Sequence, residues 1–143
     1  MRTVLLADDN RECRRSMMRL IQRLGLRTLT AANTDEVLRA LERTMIDLAI
    51  LDLEMPREGG LAVLPRIRRH RPSLPVIIVS GADSREAVLR SFAAGAYGFL
   101  HKPVDVYALR RFLRRAATPV HPALLRIGFP DRPGRHRERK NDA

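Results

Sequence analysis

Asp47-Leu48-Ala49-Ile50-Leu51-Asp52-Leu53-Glu54-Met55-Pro56 is an apolar run that stops at a carboxylate and enters a loop. A strand with one wet face alternates apolar and polar residues. Four consecutive apolar residues, Leu48 to Leu51, instead predict a strand buried on both faces. Other stretches have the same form. Thr3–Ala7, with Val4, Leu5 and Leu6, stops at Asp8-Asp9. Pro75–Val79 stops at Ser80, and Tyr97–Leu100 is followed by Lys102-Pro103. Thr28–Ala31 is a further, weaker β-like stretch.

Helical spacing fills the gaps. Met17, Leu20, Ile21 and Leu24 share a face over 11–24, with Gly25 as the stop. Asn33 or Thr34 can cap a helix carrying Val37, Leu38 and Leu41 inward, with Glu36 and Glu42 on its polar sides. Leu61–His70 reads as helical but holds Pro65, which should kink the helix or shift its start. Ser84 caps a helix that Gly95 stops, and Asp105 caps one running to about Ala116. The β-α alternation, repeated five times, predicts an α/β fold: a parallel sheet with helices on both faces, three layers in all. Five strands of this length suit the flavodoxin-like order 2-1-3-4-5.

The chain has 143 residues and a formal charge of +11, with 21 basic and 13 acidic residues within 1–117. Arginine makes up 25 of the 27 basic residues, so compositional bias accounts for the excess better than a nucleic-acid surface does. No apolar run approaches the roughly 18 residues of a membrane span. The start, MRTVLLADDN, meets acids too early for a secretory signal, and the single cysteine, Cys13, has no internal partner. A cytoplasmic setting is expected. Residues 118–143 hold four of the nine prolines and a basic end. They are expected to be a flexible tail, with a small apolar island at Leu124-Leu125-Arg126-Ile127, too short for a DNA-reading output domain.

Ligands of parallel α/β sheets bind beyond the carboxyl ends of the strands. Asp8 and Asp9, Asp52, Ser80 and Lys102 each follow a different strand, and the order 2-1-3-4-5 makes those strands neighbours. Three carboxylates in one crevice repel, and a hard divalent cation relieves that. Mg²⁺ takes oxygen ligands and keeps several waters. Asp8, Asp9, Asp52 and a backbone carbonyl of the next loop would suffice. Lys102 supplies a second positive charge, and Ser80 a hydroxyl donor, for a phosphoryl group. Singly, each residue has a plainer reading. Asp9 could be a helix cap, Asp52 a turn residue, Ser80 a cap for the loop around Ser84, and Lys102 a solvated charge. Yet a chain built on arginine uses lysine here, the compact point charge that a tight pocket favours.

Four segments carry a family resemblance: VLLADDN at 4–10, DLAILDLEMP at 47–56 with Gly60 after it, VIIVSGA at 76–82, and GAYGFLHKP at 95–103. Over about 1–117 the sequence resembles the receiver domain of two-component response regulators. The resemblance implies that Asp52 is the phosphoacceptor, and that Asp8, Asp9, Asp52 and the Glu54 backbone carbonyl hold Mg²⁺, with Mn²⁺ as a substitute. It implies that Lys102 contacts the phosphoryl group, and that Ser80 and Phe99 are the switch residues. Lys102-Pro103 is a peptide often cis in this family. Ser80 stands where threonine is common, Gly81 and Ala82 make a small loop, Glu58-Gly59 precedes Gly60 where an Asn or Asp is frequent, and Pro65 is unusual.

The implied protein is a stand-alone signalling switch and not an enzyme, with self-phosphorylation and autodephosphorylation as its only chemistry. Its partners would be a sensor histidine kinase or histidine phosphotransfer protein, and a downstream protein at the face of the fourth helix, fifth strand and fifth helix. Phosphorylation could favour a homodimer. No membrane or nucleic-acid partner is expected. Two rivals belong to other classes. A Mg²⁺-dependent phosphatase with an Asp nucleophile would want a second Asp at position 54, where Glu54 stands. A nucleic-acid or scaffold-binding module would use the net charge, but no groove-reading motif is present.

Overall fold

The computed structural model describes residues 2–55, 59–81 and 84–117. The strands are β1 (Thr3–Ala7), β2 (Arg27–Ala31), β3 (Leu48–Asp52), β4 (Val76–Ser80) and β5 (Gly98–His101). The helices are α1 (Arg11–Arg23), α2 (Thr34–Arg43), α3 (Gly59–His70), α4 (Arg85–Ala93) and α5 (Val106–Ala117). All strand pairs are parallel, in the order β2-β1-β3-β4-β5. The expected tail, 118–143, lies outside the described residues.

The central strands β1, β3 and β4 are buried at every residue, as their unbroken apolar runs require. Alternate side chains feed two cores. Leu5, Ala7, Ala49, Leu51, Val76 and Ile78 meet Val37 and Leu41 of α2 and Val63, Leu64 and Ile67 of α3. Val4, Leu6, Leu48, Ile50, Ile77 and Val79 meet Met17 and Ile21 of α1 and Leu109 and Leu113 of α5. The layers are therefore α/β/α.

Helix starts follow their capping residues. Asn10 caps α1, accepting from Cys13 N at 3.0 Å, and Asn33 caps α2, accepting from Glu36 N at 2.9 Å. Ser84 caps α4 through Ala87 N at 3.3 Å, and Asp105 starts α5 by accepting from Tyr107 N at 2.9 Å. Gly25 and Gly95 follow α1 and α4 with φ of 81° and 101°, in the left-handed region where glycine is at no disadvantage.

Three elements differ from expectation. β4 runs Val76–Ser80, one residue later than Pro75–Val79, because Ser80 still pairs with His101. β5 is displaced one residue, because Tyr97 N bonds Val76 O ahead of the ladder while His101 pairs with Ser80. α3 starts at Gly59 and runs through Pro65 to His70. Pro65 lies on the exposed side of α3, between buried Leu64 and Ile67. Water can reach the carbonyl that its ring leaves without an amide partner, so the helix continues.

Pro65→Ala should therefore raise the unfolding free energy by about 1–2 kcal/mol, measured as a higher urea midpoint. The regained helix bond should outweigh the roughly 0.4–1 kcal/mol that proline contributes by stiffening the unfolded chain.

Candidate phosphoryl and metal site

Parallel strands present all their carboxyl ends on one edge of the sheet, and this edge gathers the polar residues. Asp8 follows β1, and its backbone N–H bonds Ala31 O at 3.0 Å, which continues the β1–β2 ladder. Asp52 ends β3, in register with Val79 of β4. Ser80 ends β4, and its carbonyl accepts from Lys102 N at 2.8 Å. Lys102 is thereby held beside the sheet edge immediately after β5. Lys102-Pro103 is a cis peptide.

Asp8, Asp9 and Asp52 bring carboxylate oxygens within 4.8 Å of one another. Asp8 and Asp52 are buried, each 3% exposed, whereas Asp9 faces solvent. The Lys102 ammonium lies 3.1 Å from Asp52 Oδ2 and 3.4 Å from Asp8 Oδ2. Burial pushes its pKa down. The hydrogen bond and charge of Asp52, with the charge of Asp8, push it up and prevail, so the net shift is upward. One ammonium thus faces three carboxylates, leaving an all-oxygen donor set with negative charge unbalanced. That set suits a hard divalent cation.

Local bonds fix the aspartates. Asp8 Oδ1 accepts from Asn10 N at 2.8 Å, and its carbonyl accepts from Arg14 Nη1 at 2.7 Å. Asp52 Oδ1 accepts from Glu54 N at 3.0 Å, an Asx turn that bends the chain as it leaves β3. Gly60 packs against this bend. A Cβ there would stand 2.8 Å from the Asp52 carbonyl oxygen, so glycine lets α3 start close behind the acid.

The sequence-expected residues Asp8, Asp9, Asp52 and Lys102 come together, and Ser80 joins them from the adjacent strand end. Asp9 is not the α1 cap; Asn10 is. Asn10 immediately before the first periodic residues is a helix-start signal, so that role was readable. Phe99 lies farther along β5, half-buried against the α2/α3-side core. Its ring meets His101 edge-on, with centroids 5.0 Å apart. One feature had no sequence signal. Glu54 Oε1 accepts from Ser80 Oγ at 2.9 Å and from Gly81 N at 2.7 Å. An acid in a loop gives no hint of which strand end it will touch.

Residues 4–114 match the family described as response regulator receiver domain. The chain is 34% identical over 114 residues to the DNA-binding transcriptional regulator NtrC of Azospirillum brasilense, covering 80% of this chain and 24% of that protein. The chain thus spans about a quarter of the length of the curated relatives it matches. Among solved structures it resembles the receiver domain of NtrX from Brucella abortus (31% identity, TM-score 0.75, covering 79% of this chain and 96% of that one). It also resembles a receiver domain from Clostridium thermocellum (29% identity, TM-score 0.76, covering 81% and 94%). The acidic cluster with its salt-bridged lysine corresponds to the phosphoacceptor and metal site of that family.

Replacing Lys102 by Met leaves Asp8 and Asp52 facing each other unscreened. In chelator at neutral pH it should cost about 1–3 kcal/mol, less than a fully buried pair because solvent reaches the ammonium. The lysine's pKa is higher folded than unfolded. Its contribution is therefore complete below the unfolded value of about 10.4 and fades as pH rises through the folded one. Urea midpoints of wild type and Lys102→Met should stay apart up to that range and converge above it.

Proposed function

The chain belongs to the response-regulator receiver family, and on that premise we propose that Asp52 accepts a phosphoryl group from a phosphohistidine of a partner protein. The observation that carries this reading is a buried strand-end carboxylate held 3.1 Å from a lysine ammonium within a three-carboxylate cluster. The site has the architecture of a phosphoacceptor switch and not of a turnover enzyme.

In the transfer, an Asp52 carboxylate oxygen forms an O–P bond as the donor's N–P bond breaks. The electron pair of the broken bond stays on the imidazole nitrogen. Hydrolysis later joins a water oxygen to phosphorus and returns the Asp52 carboxylate with inorganic phosphate. The phosphoryl group spreads negative charge over its oxygens, so the protein's task is positioning and neutralisation. Lys102 neutralises one oxygen from the β5 side, and Ser80 donates to another from β4. Asp8, Asp9, Asp52 and the Glu54 carbonyl would hold Mg²⁺, which would supply a Lewis-acidic positive charge in addition to that of Lys102.

Phosphorylation adds roughly −1.5 to −2 charge at one strand end. Ser80 and Lys102 then draw toward the phosphoryl oxygens, and Phe99 turns into the space that opens. This shifts the surface of α4, β5 and α5 between two packings. That surface carries exposed Leu89, Phe92 and Tyr107, suited to a protein target. The donor would be a histidine kinase or a histidine phosphotransfer protein. Residues 1–117 would be the receiver and 118–143 a basic extension. Among the described residues no helix is long and apolar enough to cross a membrane. A cytoplasmic setting suits the proposed partners.

Incubation with acetyl phosphate and Mg²⁺ should add one phosphoryl group by intact mass, and Asp52→Asn should abolish it. A folded wild type that gains no mass would overturn the reading. Excess Mg²⁺ alone should raise the melting temperature of wild type, since a ligand bound only to the native state stabilises it. Asp8→Asn should remove most of that rise.

A further inference from the structure

The Glu54 side chain occupies the Ser80 hydroxyl, which the proposed function gives to a phosphoryl group at Asp52, and with it the adjacent Gly81 amide. Its Oε1 accepts from both the Ser80 hydroxyl, at 2.9 Å, and the Gly81 amide, at 2.7 Å. Ser80 is wholly buried, with no exposure to water. Its hydroxyl carries a single proton, and so does the Gly81 N–H. Each can serve one strong acceptor at a time. In this structure a carboxylate is that acceptor, and bonds to ionised acceptors are the strong ones.

The carboxylate also arises from the right place to compete. Glu54 lies two residues beyond Asp52, and its own N–H bonds Asp52 Oδ1 at 3.0 Å. The backbone that carries the acceptor aspartate therefore carries the competing anion. A Cβ at Gly81 would sit 3.5 Å from Glu54 Oε1, an ordinary contact, so the carboxylate packs directly against this residue. Strand pairing holds Ser80 beside the acid, because Leu53 N bonds Val79 O at 2.8 Å and Lys102 N bonds Ser80 O at 2.8 Å.

We propose that Glu54 is a positioning residue that latches the unphosphorylated form, its carboxylate holding Ser80 Oγ and Gly81 N as an internal substitute for the phosphoryl group. Phosphorylation then exchanges acceptors. The Ser80 O–H and the Gly81 N–H leave Glu54 for phosphoryl oxygens, and Glu54, repelled by the new dianion, turns to solvent. The latch sets a threshold, since the phosphoryl group gains only the difference between two anionic acceptors. This inference rests on Asp52 being the phosphoacceptor.

The test uses the full chain with Mg²⁺ and beryllofluoride, a non-covalent stand-in for the phosphoryl group, titrated by tryptophan-independent means such as amide NMR shifts. Glu54→Ala should tighten beryllofluoride binding by about three- to tenfold, the worth of a charge-assisted hydrogen bond less the acceptor that replaces it. Glu54→Asp keeps the charge and shortens the reach by one methylene, and should tighten binding nearly as much. In a Ser80→Ala background the effect of Glu54→Ala should shrink by at least half, a coupling that general loosening of the loop would not give. Wild-type affinity from Glu54→Asp would assign any effect of Glu54→Ala to charge alone and overturn the latch. Full additivity with Ser80→Ala would overturn it as well. Binding by wild type with no change in any variant removes the latch and keeps the phosphoacceptor. No binding by folded wild type removes both.

Discussion

The ammonium of Lys102 stands between the buried carboxylates of Asp8 and Asp52, 3.4 Å from one and 3.1 Å from the other. Holding two like charges this close beneath the surface costs stability without it, because desolvation strengthens their repulsion. The balance is deliberately incomplete in a physical sense. Asp9 adds a third carboxylate at the rim, so the pocket keeps a negative surplus that an added cation can neutralise. A site that is stable yet unsatisfied is what a transient phosphoryl group with its metal requires.

That electrostatic arrangement depends on a rigid platform. β1, β3 and β4 are buried on both faces and feed two separate cores, so their ends have little freedom to spread. Backbone bonds then pass from strand to strand at the rim: Asp8 N to Ala31 O, Leu53 N to Val79 O, and Lys102 N to Ser80 O. Each functional side chain is placed by a neighbour's ladder as well as by its own strand. The loops beyond are less constrained, and there the local contacts are made by side chains such as Glu54.

Arginines, so numerous in the sequence, divide into two kinds in the structure. Arg68 bonds the carbonyls of Leu74 and Gly95, tying α3 to the chain before β4 and to the turn after α4. Burial lowers its pKa. Arg71 reaches the carbonyls of Leu41 and Thr44 at the end of α2, at 2.9 and 3.2 Å, where a helix leaves acceptors without partners. These are structural clamps. Arg11, Arg15, Arg19 and Arg23 instead lie exposed along α1. Composition alone could not separate the two.

The strands and their order, the caps at Asn33, Ser84 and Asp105, and the convergence of Asp8, Asp9, Asp52, Ser80 and Lys102 were legible in the residues. Each rests on a local or repeating signal: an unbroken apolar run, a helical period, or a polar residue at a strand end. The course of α3 was less so, since Pro65 costs the helix a bond without ending it, and the packing of Val63, Leu64 and Ile67 into the core carries the helix through. Asp52 was readable as the site's centre because β-α alternation fixes which strand ends are neighbours. The Glu54–Ser80 contact was not, and neither was the bond from Arg68 to the Gly95 carbonyl. Both join residues more than twenty positions apart through side chains whose direction is set only when sheet and helices have packed. The sequence by itself determined the fold and the charges at the strand ends, because periodicity and chain order are local properties. Tertiary structure alone decided which donor serves which acceptor, because a hydrogen bond is fixed by ångström-scale placement that packing supplies.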